Sequence, residues 1–391
     1  MAVFVLGAGA TRGCSFVDQR THACVPPLDA DFFTQLQRVC NPKHQTLIQQ
    51  VMRDVVDMFG TNFTASMEVV FTTLEHTIRL LQATGREDRS FSIADLKAKR
   101  TRLIQAVAVV LEESLASPSP TGRSSHIPKV CTDHARFVRD CLQPGDVLIT
   151  FNYDCVIDYA LRAGGTEKWN ARYGYGFKLG PRGSALEGDE HWQPQGGRAT
   201  KANTVRLLKL HGSLNFNVTE NKKGVASIRL KQRPYTRQKG NMQFTIIPPE
   251  WHKAYDSQPF RTLWKYAAEA IYKAEELAFI GYSLPPTDMH ATALFRTSVH
   301  KGRLRSLVVV NPDQEARKRT RTIVQRGLSA DSRVLSFNEL GHFLALSEEV
   351  WRRPKKGDVT QRAIPAAGPV QAPEPVDGEQ TPPVAPAAEQ N

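Results

Sequence analysis

The chain has 391 residues, of which 41% are hydrophobic and 23% are charged, and its formal net charge is +12. This composition is typical of a globular protein with one large core or two smaller ones. No window approaches the 18 or more consecutive apolar residues of a membrane-spanning helix, which excludes an integral membrane protein. The opening residues MAVFVLGAGA carry neither a basic region nor a cleavage site, so we expect a cytoplasmic protein without a secretory signal.

The positive charge is concentrated in three runs, at residues 231–240, 317–326 and 352–356. Runs of this kind are more often solvated faces than binding sites, so nucleic acid or an acidic partner remains an open alternative. The six cysteines form no C-x-x-C pair. The sequence therefore predicts free thiols, with no zinc ribbon, no redox dithiol and no bound metal.

The first predicted strand ends at a glycine turn. Its residues AVFVLG run directly into GAGAT, a strand, tight turn and helix start of the kind that can hold a phosphate group. Gly7 and Gly9 would allow a ligand to approach the backbone closely. Gly13 falls one residue later than the third glycine of the usual dinucleotide fingerprint, so this motif alone is weak.

Residues from about 44 to 143 are predicted to form an all-helical insertion. Apolar residues recur there at helical spacing, as in Ile48, Val51 and Val55. A further helix is expected to begin at Ser92, because its spacing to Asp95 is that of a capping box. The apolar stripes are most simply core, and we assign them no cofactor role.

After the insertion the sequence returns to alternating strands and helices. The predicted elements are a strand DVLITFN (146–152), an irregular excursion (164–203), a strand VRLLKL (205–210), two weaker strands (near 225–230 and 243–247), a helix (about 257–275), and strand-helix units at LAFIGYSLPP (277–286) and SLVVVNPDQ (306–314). This alternation predicts an α/β fold with a Rossmann-like parallel sheet. We expect one catalytic domain over 1–350, followed by a disordered tail over 352–391 that is rich in Pro and Ala.

Five predicted strands end in residues that are unusual for plain packing: GAGAT, TFNYD, KLHGS, GYSLPP and VVNP. Ligands of a parallel sheet bind beyond the carboxyl ends of its strands. Each residue also has a purely structural explanation: Asn152 can cap a helix, Asp154 can favour a helix dipole, and Asn311 can form a turn. A single histidine such as His211 is more often a core residue. Five such strand ends in one chain favour a ligand site.

These five motifs, in this order, resemble the nicotinamide-dinucleotide site of the sirtuin superfamily. The resemblance implies that the pyrophosphate lies on the first turn, the nicotinamide ribose and a water on the second motif, and the adenosine half on the last two, with a histidine as the base. The implied residues are Gly7, Ala8, Gly9 and Thr11 for the pyrophosphate, Asn152 and Asp154 for the ribose and water, His211 for the base, and Gly281, Ser283 and Asn311 for the adenosine half.

The chain departs from the protein-deacylase members because it lacks the four cysteines that hold their structural zinc. Its segments IIPPEWHK (246–253) and PPLDADFF (26–33) are similar to those of bacterial sirtuin-like proteins of anti-phage defence, which hydrolyse the dinucleotide itself. Asp29, in the second segment, is either a cofactor-binding residue or a local helix cap.

This resemblance implies an NAD⁺ glycohydrolase, with NAD⁺ as the substrate and no metal. Deacylation, ADP-ribosyl transfer and non-catalytic nucleotide sensing remain the alternatives. A hydrolase of this kind would be toxic unless its activity were controlled. The resemblance therefore also implies a homo-oligomer and a separately encoded sensor, such as a HerA-type ATPase or an Argonaute-like protein.

Overall fold

The structure is a computed structural model that describes residues 1–17, 23–87, 92–115, 130–177, 179, 189–220, 226–231, 244–249 and 258–347. The predicted disordered tail (352–391), the basic run at 352–356 and all but the first residue of the run at 231–240 lie outside these ranges. Within them, no helix has both the length and the apolar character needed to cross a membrane.

Ten strands are present in the described part of the chain. They are β1 (Ala2–Leu6), β2 (Val147–Thr150), β3 (Arg206–Lys209), β4 (Gly212–Ser213), β5 (Phe216–Glu220), β6 (Ala226–Leu230), β7 (Thr245–Ile246), β8 (Glu276–Ile280), β9 (Leu304–Val310) and β10 (Leu328–Phe337). Six of them form one parallel sheet in the order β10-β9-β8-β1-β2-β3. This order confirms the predicted Rossmann-like α/β fold. The short strands pair separately and antiparallel, β4 with β7 and β5 with β6.

Thirteen α-helices are present in the same ranges. They are α1 (Ala8–Arg12), α2 (Phe32–Gln37), α3 (Gln45–Phe59), α4 (Met67–Thr84), α5 (Ile93–Leu115), α6 (Thr132–Asp140), α7 (Val156–Gly164), α8 (Ala171–Gly174), α9 (Asp189–Trp192), α10 (Phe260–Lys273), α11 (Met289–Ser298), α12 (Gln314–Val324) and α13 (Leu340–Ala345). The expected start of α5 is confirmed, since the Asp95 amide donates to the Ser92 hydroxyl at 3.1 Å.

The parallel sheet is covered on both faces, which explains why its strands read as continuous apolar runs. On one face, Phe4 of β1 packs edge-on against Phe137 of α6 with the ring centroids 5.0 Å apart. Side chains of α7 and α13 belong to the same cluster. On the other face, Val3 and Val5 pack in a cluster that contains side chains of α10, α11 and α12.

The helices α2 to α5 have a hydrophobic core of their own, which includes Phe71 and Val107. This core reaches the carboxyl end of the sheet through Tyr153, Val156 and Leu214, which follow β2 and β3 and are buried in it. The helix α6 lies within the predicted insertion but packs against the sheet. The group α2–α5 is therefore held against the edge where ligands of such sheets bind.

Some elements differ from those predicted. The strand β10 was not predicted, because it lies at the sheet edge and has only sparse, half-exposed apolar residues. The two weaker strands do not pair with each other, since β6 pairs with β5 and β7 with β4. In the excursion at 164–203, Trp169 and Trp192 are fully buried, with the Trp169 indole donating to the Trp192 carbonyl at 3.0 Å. Its core depends on individual aromatic contacts, which leave no periodic signal.

Candidate functional site

Two glycine turns meet where the strand order reverses, between β1 and β8. The Gly7 amide donates to the Ile280 carbonyl at 3.1 Å, and the Gly9 amide donates to the Gly281 carbonyl at 2.8 Å. Gly281 has a φ of +61°, and a Cβ at this position would overlap the Ala10 backbone nitrogen. Any residue larger than glycine would collide with the backbone of the first turn, so this position requires glycine. In doubly wound sheets this reversal point is where ligands bind.

The first turn has fewer open donors than its sequence indicates. The Gly9 amide is bonded to Gly281, and the Ala10 amide donates to the Gly7 carbonyl at 2.9 Å. Neither of these groups can bind a phosphate without breaking an existing bond. Ala8 is exposed on the same turn, so a ligand would meet the turn there.

A chain of hydrogen bonds connects this turn to the residues after β2. The Asn152 amide nitrogen donates to the Gly7 carbonyl at 2.9 Å and to the Thr11 hydroxyl at 3.0 Å. The Thr11 hydroxyl donates to one Asp154 carboxylate oxygen at 2.7 Å, and the Val156 amide donates to the other at 2.9 Å. Both amide hydrogens of Asn152 are thereby used, which leaves its oxygen to accept a hydrogen bond from a ligand.

A cavity of about 10 Å³ adjoins these side chains. This is about the volume that a single water molecule needs. The cavity is lined by Leu6, Ala10, Thr11, His134, Thr150, Asn152, Asp154, Val156 and Ile157. Through His134 it also adjoins a buried group with metal-binding side chains, Cys14, Cys131 and His134.

His211 lies two residues after the end of β3, which is the strand next to β2. The register pairs Thr150 with Lys209, and the Leu210 amide donates to the Thr150 carbonyl at 3.0 Å. His211 and Asn152 therefore both lie beyond the carboxyl ends of two neighbouring strands. The His211 carbonyl is held by the Ile247 amide at 2.8 Å.

The His211 ring is 5% exposed and lies among aromatic side chains. Its centroid is 5.0 Å from that of Phe151, and 6.4 Å from those of both Tyr153 and Trp264. Phe151 in turn stacks on Tyr282 at 4.6 Å, directly after the second glycine turn. These contacts place the imidazole in a largely dry environment, two aromatic rings away from the meeting point of the turns.

The residues expected to hold the adenosine half have structural roles of their own. The Arg319 guanidinium donates to the Ser283 carbonyl at 2.9 Å and to the Leu284 carbonyl at 2.8 Å. Leu284 is fully buried with a φ of +47°, a conformation that side chains other than glycine seldom adopt. The Asn311 side-chain oxygen accepts from the Asp313 amide at 2.9 Å, which is the turn-forming role considered from the sequence. The loop after β8 is thus held in a strained shape.

The segment at 26–33 is fixed to the helical group. The Asp29 carboxylate accepts from the Glu68 amide in the first turn of α4 at 2.8 Å. It therefore caps a helix far along the chain rather than the one that follows it. The Arg12 guanidinium, at the end of α1, bonds the Pro26 carbonyl and the Asp31 carboxylate, each at 2.5 Å. Arg12 was not singled out from the sequence, although it stands directly after the glycine turn.

A buried ion pair beneath the site was also missed. The Lys209 ammonium lies 2.7 Å from an Asp158 carboxylate oxygen and donates to the Asp154 carbonyl at 2.6 Å. Both side chains are 0% exposed, and the Tyr175 hydroxyl donates to Asp158 at 2.6 Å. Burial acts to lower the pKa of Lys209, but the charge of Asp158, its hydrogen bond to the ammonium and the nearby Cys155 and Asp154 together outweigh burial and leave this pKa raised. The signal was a lysine inside an apolar alternating strand.

Comparison with known proteins places a SIR2-like domain at residues 146–330. This region contains the second to fifth motifs and leaves the first turn and Asp29 outside. One solved structure, described as "Structural Basis for the Mechanism and Regulation of Sir2 Enzymes", is 13% identical in sequence and has a TM-score of 0.26. The match covers 89% of this chain and 91% of the chain in that structure. No curated protein matches the chain.

The chain therefore combines a Rossmann-like parallel sheet with a match to a SIR2-like domain over residues 146–330. One end of the parallel sheet, where its strands have their carboxyl ends, carries the two glycine turns, the Asn152 network and His211.

Proposed function

We propose that this protein is an NAD⁺ glycohydrolase, which cleaves the bond between nicotinamide and ribose to give nicotinamide and ADP-ribose. The observation that carries the proposal is the hydrogen-bonded network of Thr11, Asn152 and Asp154, which joins α1 to the residues after β2. His211 follows the adjacent strand β3. The SIR2-like domain match supports the choice of dinucleotide.

The chemistry of this bond fits the residues present. Breaking it develops oxocarbenium character on the ribose while nicotinamide leaves as a neutral pyridine, so the leaving group needs no acid. The site must orient the ribose, exclude bulk water and accept the proton of the attacking water. An ordinary histidine pKa lies near 6.5, so a histidine can accept that proton at neutral pH.

Each side chain then has a defined role. The Asn152 oxygen accepts a hydrogen bond from a ribose hydroxyl or from the attacking water. Asp154, fixed by Thr11 and Val156, places negative charge near the developing cation. His211 takes the proton as water forms its bond to the anomeric carbon. The dinucleotide would lie on the open face at Ala8.

We further propose that the biological result is depletion of NAD⁺ in defence against phage. In this proposal the chain acts as a homo-oligomer, and a separately encoded sensor controls it. A HerA-type ATPase or an Argonaute-like protein would fit that role. The group α2–α5 is the surface we assign to these contacts, because it already covers the edge where the strands end.

The first experiment mixes the purified chain with NAD⁺ and measures nicotinamide and ADP-ribose by chromatography. It is run with and without the protein encoded beside it, and with and without an acetyl-lysine peptide. We expect equal amounts of the two products, independent of the peptide. Release that requires the peptide would instead show a deacylase. NAD⁺ binding without release in every set would show a sensing subunit, and either result overturns the proposal.

A second experiment tests the base. Loss of a general base lowers the rate by roughly 10² to 10⁴, so His211→Ala should lose most nicotinamide release while retaining NAD⁺ binding. The matched control is His300→Ala, because His300 precedes β9 and therefore lies at the amino end of the parallel strands, whereas His211 lies at their carboxyl end. Equal rates for the two variants would contradict the assignment.

A further inference from the structure

A second site is indicated by three side chains beside the cavity. Cys14 follows α1 by two residues, Cys131 immediately precedes α6, and His134 lies in the first turn of α6. All three are at most 3% exposed. The His134 Nδ1 atom lies 3.1 Å from the Cys131 Sγ atom and 4.0 Å from the Cys14 Sγ atom, and the three atoms all lie within 4.8 Å of one another.

These separations are close to the distances between neighbouring ligand atoms of a tetrahedral metal ion. Zinc binds Cys sulfur at about 2.3 Å and His nitrogen at about 2.0–2.1 Å in tetrahedral geometry, so its sulfur and nitrogen ligands lie roughly 3.6 Å apart. The two sulfur-to-nitrogen distances of 3.1 and 4.0 Å lie on either side of this value. Shifts of about half an ångström would therefore complete the geometry.

The surroundings suit a metal-bound thiolate. The Ser15 amide donates to the Cys131 sulfur at 3.4 Å, and the Ser15 hydroxyl lies 3.5 Å from it. Contacts of this kind around ligand atoms orient them toward a metal. Two thiolates with a neutral imidazole would also cancel the charge of a divalent ion, so the buried complex would carry no net charge.

The cavity adjoins the cluster through His134. Besides His134, it is lined by Thr11, Asn152 and Asp154, and its volume of about 10 Å³ suits one water molecule. A four-coordinate zinc with three protein ligands commonly has a water in the fourth position.

We propose that Cys14, Cys131 and His134 bind one Zn²⁺ ion, with a water from this cavity as the fourth ligand. The ligands come from two distant parts of the sequence, which is why no cysteine spacing indicated them. The ion would connect the residues after α1 to α6. Thr11 lies three residues before Cys14, so the ion would also hold in place the hydroxyl that bonds Asp154. None of its three protein ligands takes part in the proposed reaction, so binding of the metal can be tested without it.

The test measures zinc in the full-length chain after purification with a phosphine reductant, Zn²⁺ loading and removal of unbound metal. We expect one zinc per chain, and at least a tenfold loss of zinc in Cys131→Ser and in His134→Ala. The control is Cys24→Ser, which removes a buried cysteine outside the cluster and should retain the metal. Zinc content that is unchanged in both cluster variants would overturn the proposal.

A second measurement uses the unaltered chain, so it does not depend on whether the variants fold. Titration with Co²⁺ should give the near-ultraviolet absorption of a thiolate bound to cobalt, and Zn²⁺ should remove it. Peptide mass should also show that Cys14 and Cys131 are alkylated more slowly with zinc bound than in the zinc-free chain, whereas the rates of the other four cysteines stay the same. Absence of the cobalt signal, or equal alkylation rates of Cys14 and Cys131 with and without zinc, would contradict the site.

Discussion

Replacing Lys209 with methionine tests whether the buried ion pair supports the candidate site. The substitution preserves most of the side-chain volume but removes the ammonium that bonds Asp158 at 2.7 Å and the Asp154 carbonyl at 2.6 Å. The Asp158 carboxylate would then retain only neutral donors, the Tyr175 hydroxyl at 2.6 Å and the Asn215 amide at 3.3 Å. A fully buried charge would be left without its counter-ion.

The expected cost follows from this geometry. Removing one partner of a buried pair typically destabilises a protein by about 3–5 kcal/mol. The Asp154 carbonyl also loses a donor, which costs about 1–3 kcal/mol when a buried acceptor is left unsatisfied. These costs overlap, so we expect about 4 kcal/mol and a melting temperature lower by on the order of 10 °C.

Urea unfolding followed by circular dichroism measures this change. The double variant Lys209→Met with Asp158→Leu removes both charges, so it should be more stable than Lys209→Met alone. A loss below about 1 kcal/mol for Lys209→Met, or single-variant costs that simply add, would refute the reasoning.

Three further expectations follow from the same contacts. Because the pKa of Lys209 is raised in the folded chain, its ion pair stabilises the fold fully below the unfolded lysine pKa near 10.4, and this stabilisation is lost as the pH rises through the folded pKa. The loss of unfolding free energy at alkaline pH should therefore be smaller in Lys209→Met than in the unaltered chain. Gly281→Ala places a Cβ against the Ala10 backbone at a φ of +61°, whereas Gly60→Ala has a φ of +83° and no atom within 4 Å of its Cβ. Thermal unfolding should therefore show a loss of unfolding free energy well above the roughly 1 kcal/mol expected of Gly60→Ala. Asp29→Ala removes the acceptor for the first turn of α4 and should cost about 0.5–2 kcal/mol of unfolding free energy by urea titration; an unchanged stability would mean that this bond contributes nothing.

The sheet could be predicted because its signals are local. Strands such as β1, β8 and β9 end in apolar runs that stop at glycine or asparagine, and their alternation with helices restricts the topology to a parallel sheet. The edge strand β10 had no such signal. It pairs with β9 alone, and its Phe337 ring lies 5.6 Å from that of Phe343 in α13.

The site could be predicted only in part, for a related reason. Strand ends identify which residues meet at the edge of the sheet, and Asn152 does lie against Gly7 and Thr11. The residues that support them have partners set by tertiary packing. Asp29 bonds the amide of Glu68, and Lys209 bonds a carboxylate on the helix after β2, which no spacing in the sequence reveals.

The most direct test compares nicotinamide release by the unaltered chain with that by Asn152→Ala at saturating NAD⁺, together with NAD⁺ binding by calorimetry. Asn152 touches both the first glycine turn and the Thr11 hydroxyl, so its side chain is the group through which the network would meet the ribose. We expect release to fall by about 10² or more in a variant that is still folded by circular dichroism, with a melting temperature lowered by the loss of its two hydrogen bonds. Release at the parental rate from a folded Asn152→Ala would contradict the assignment of this network as the site of cleavage.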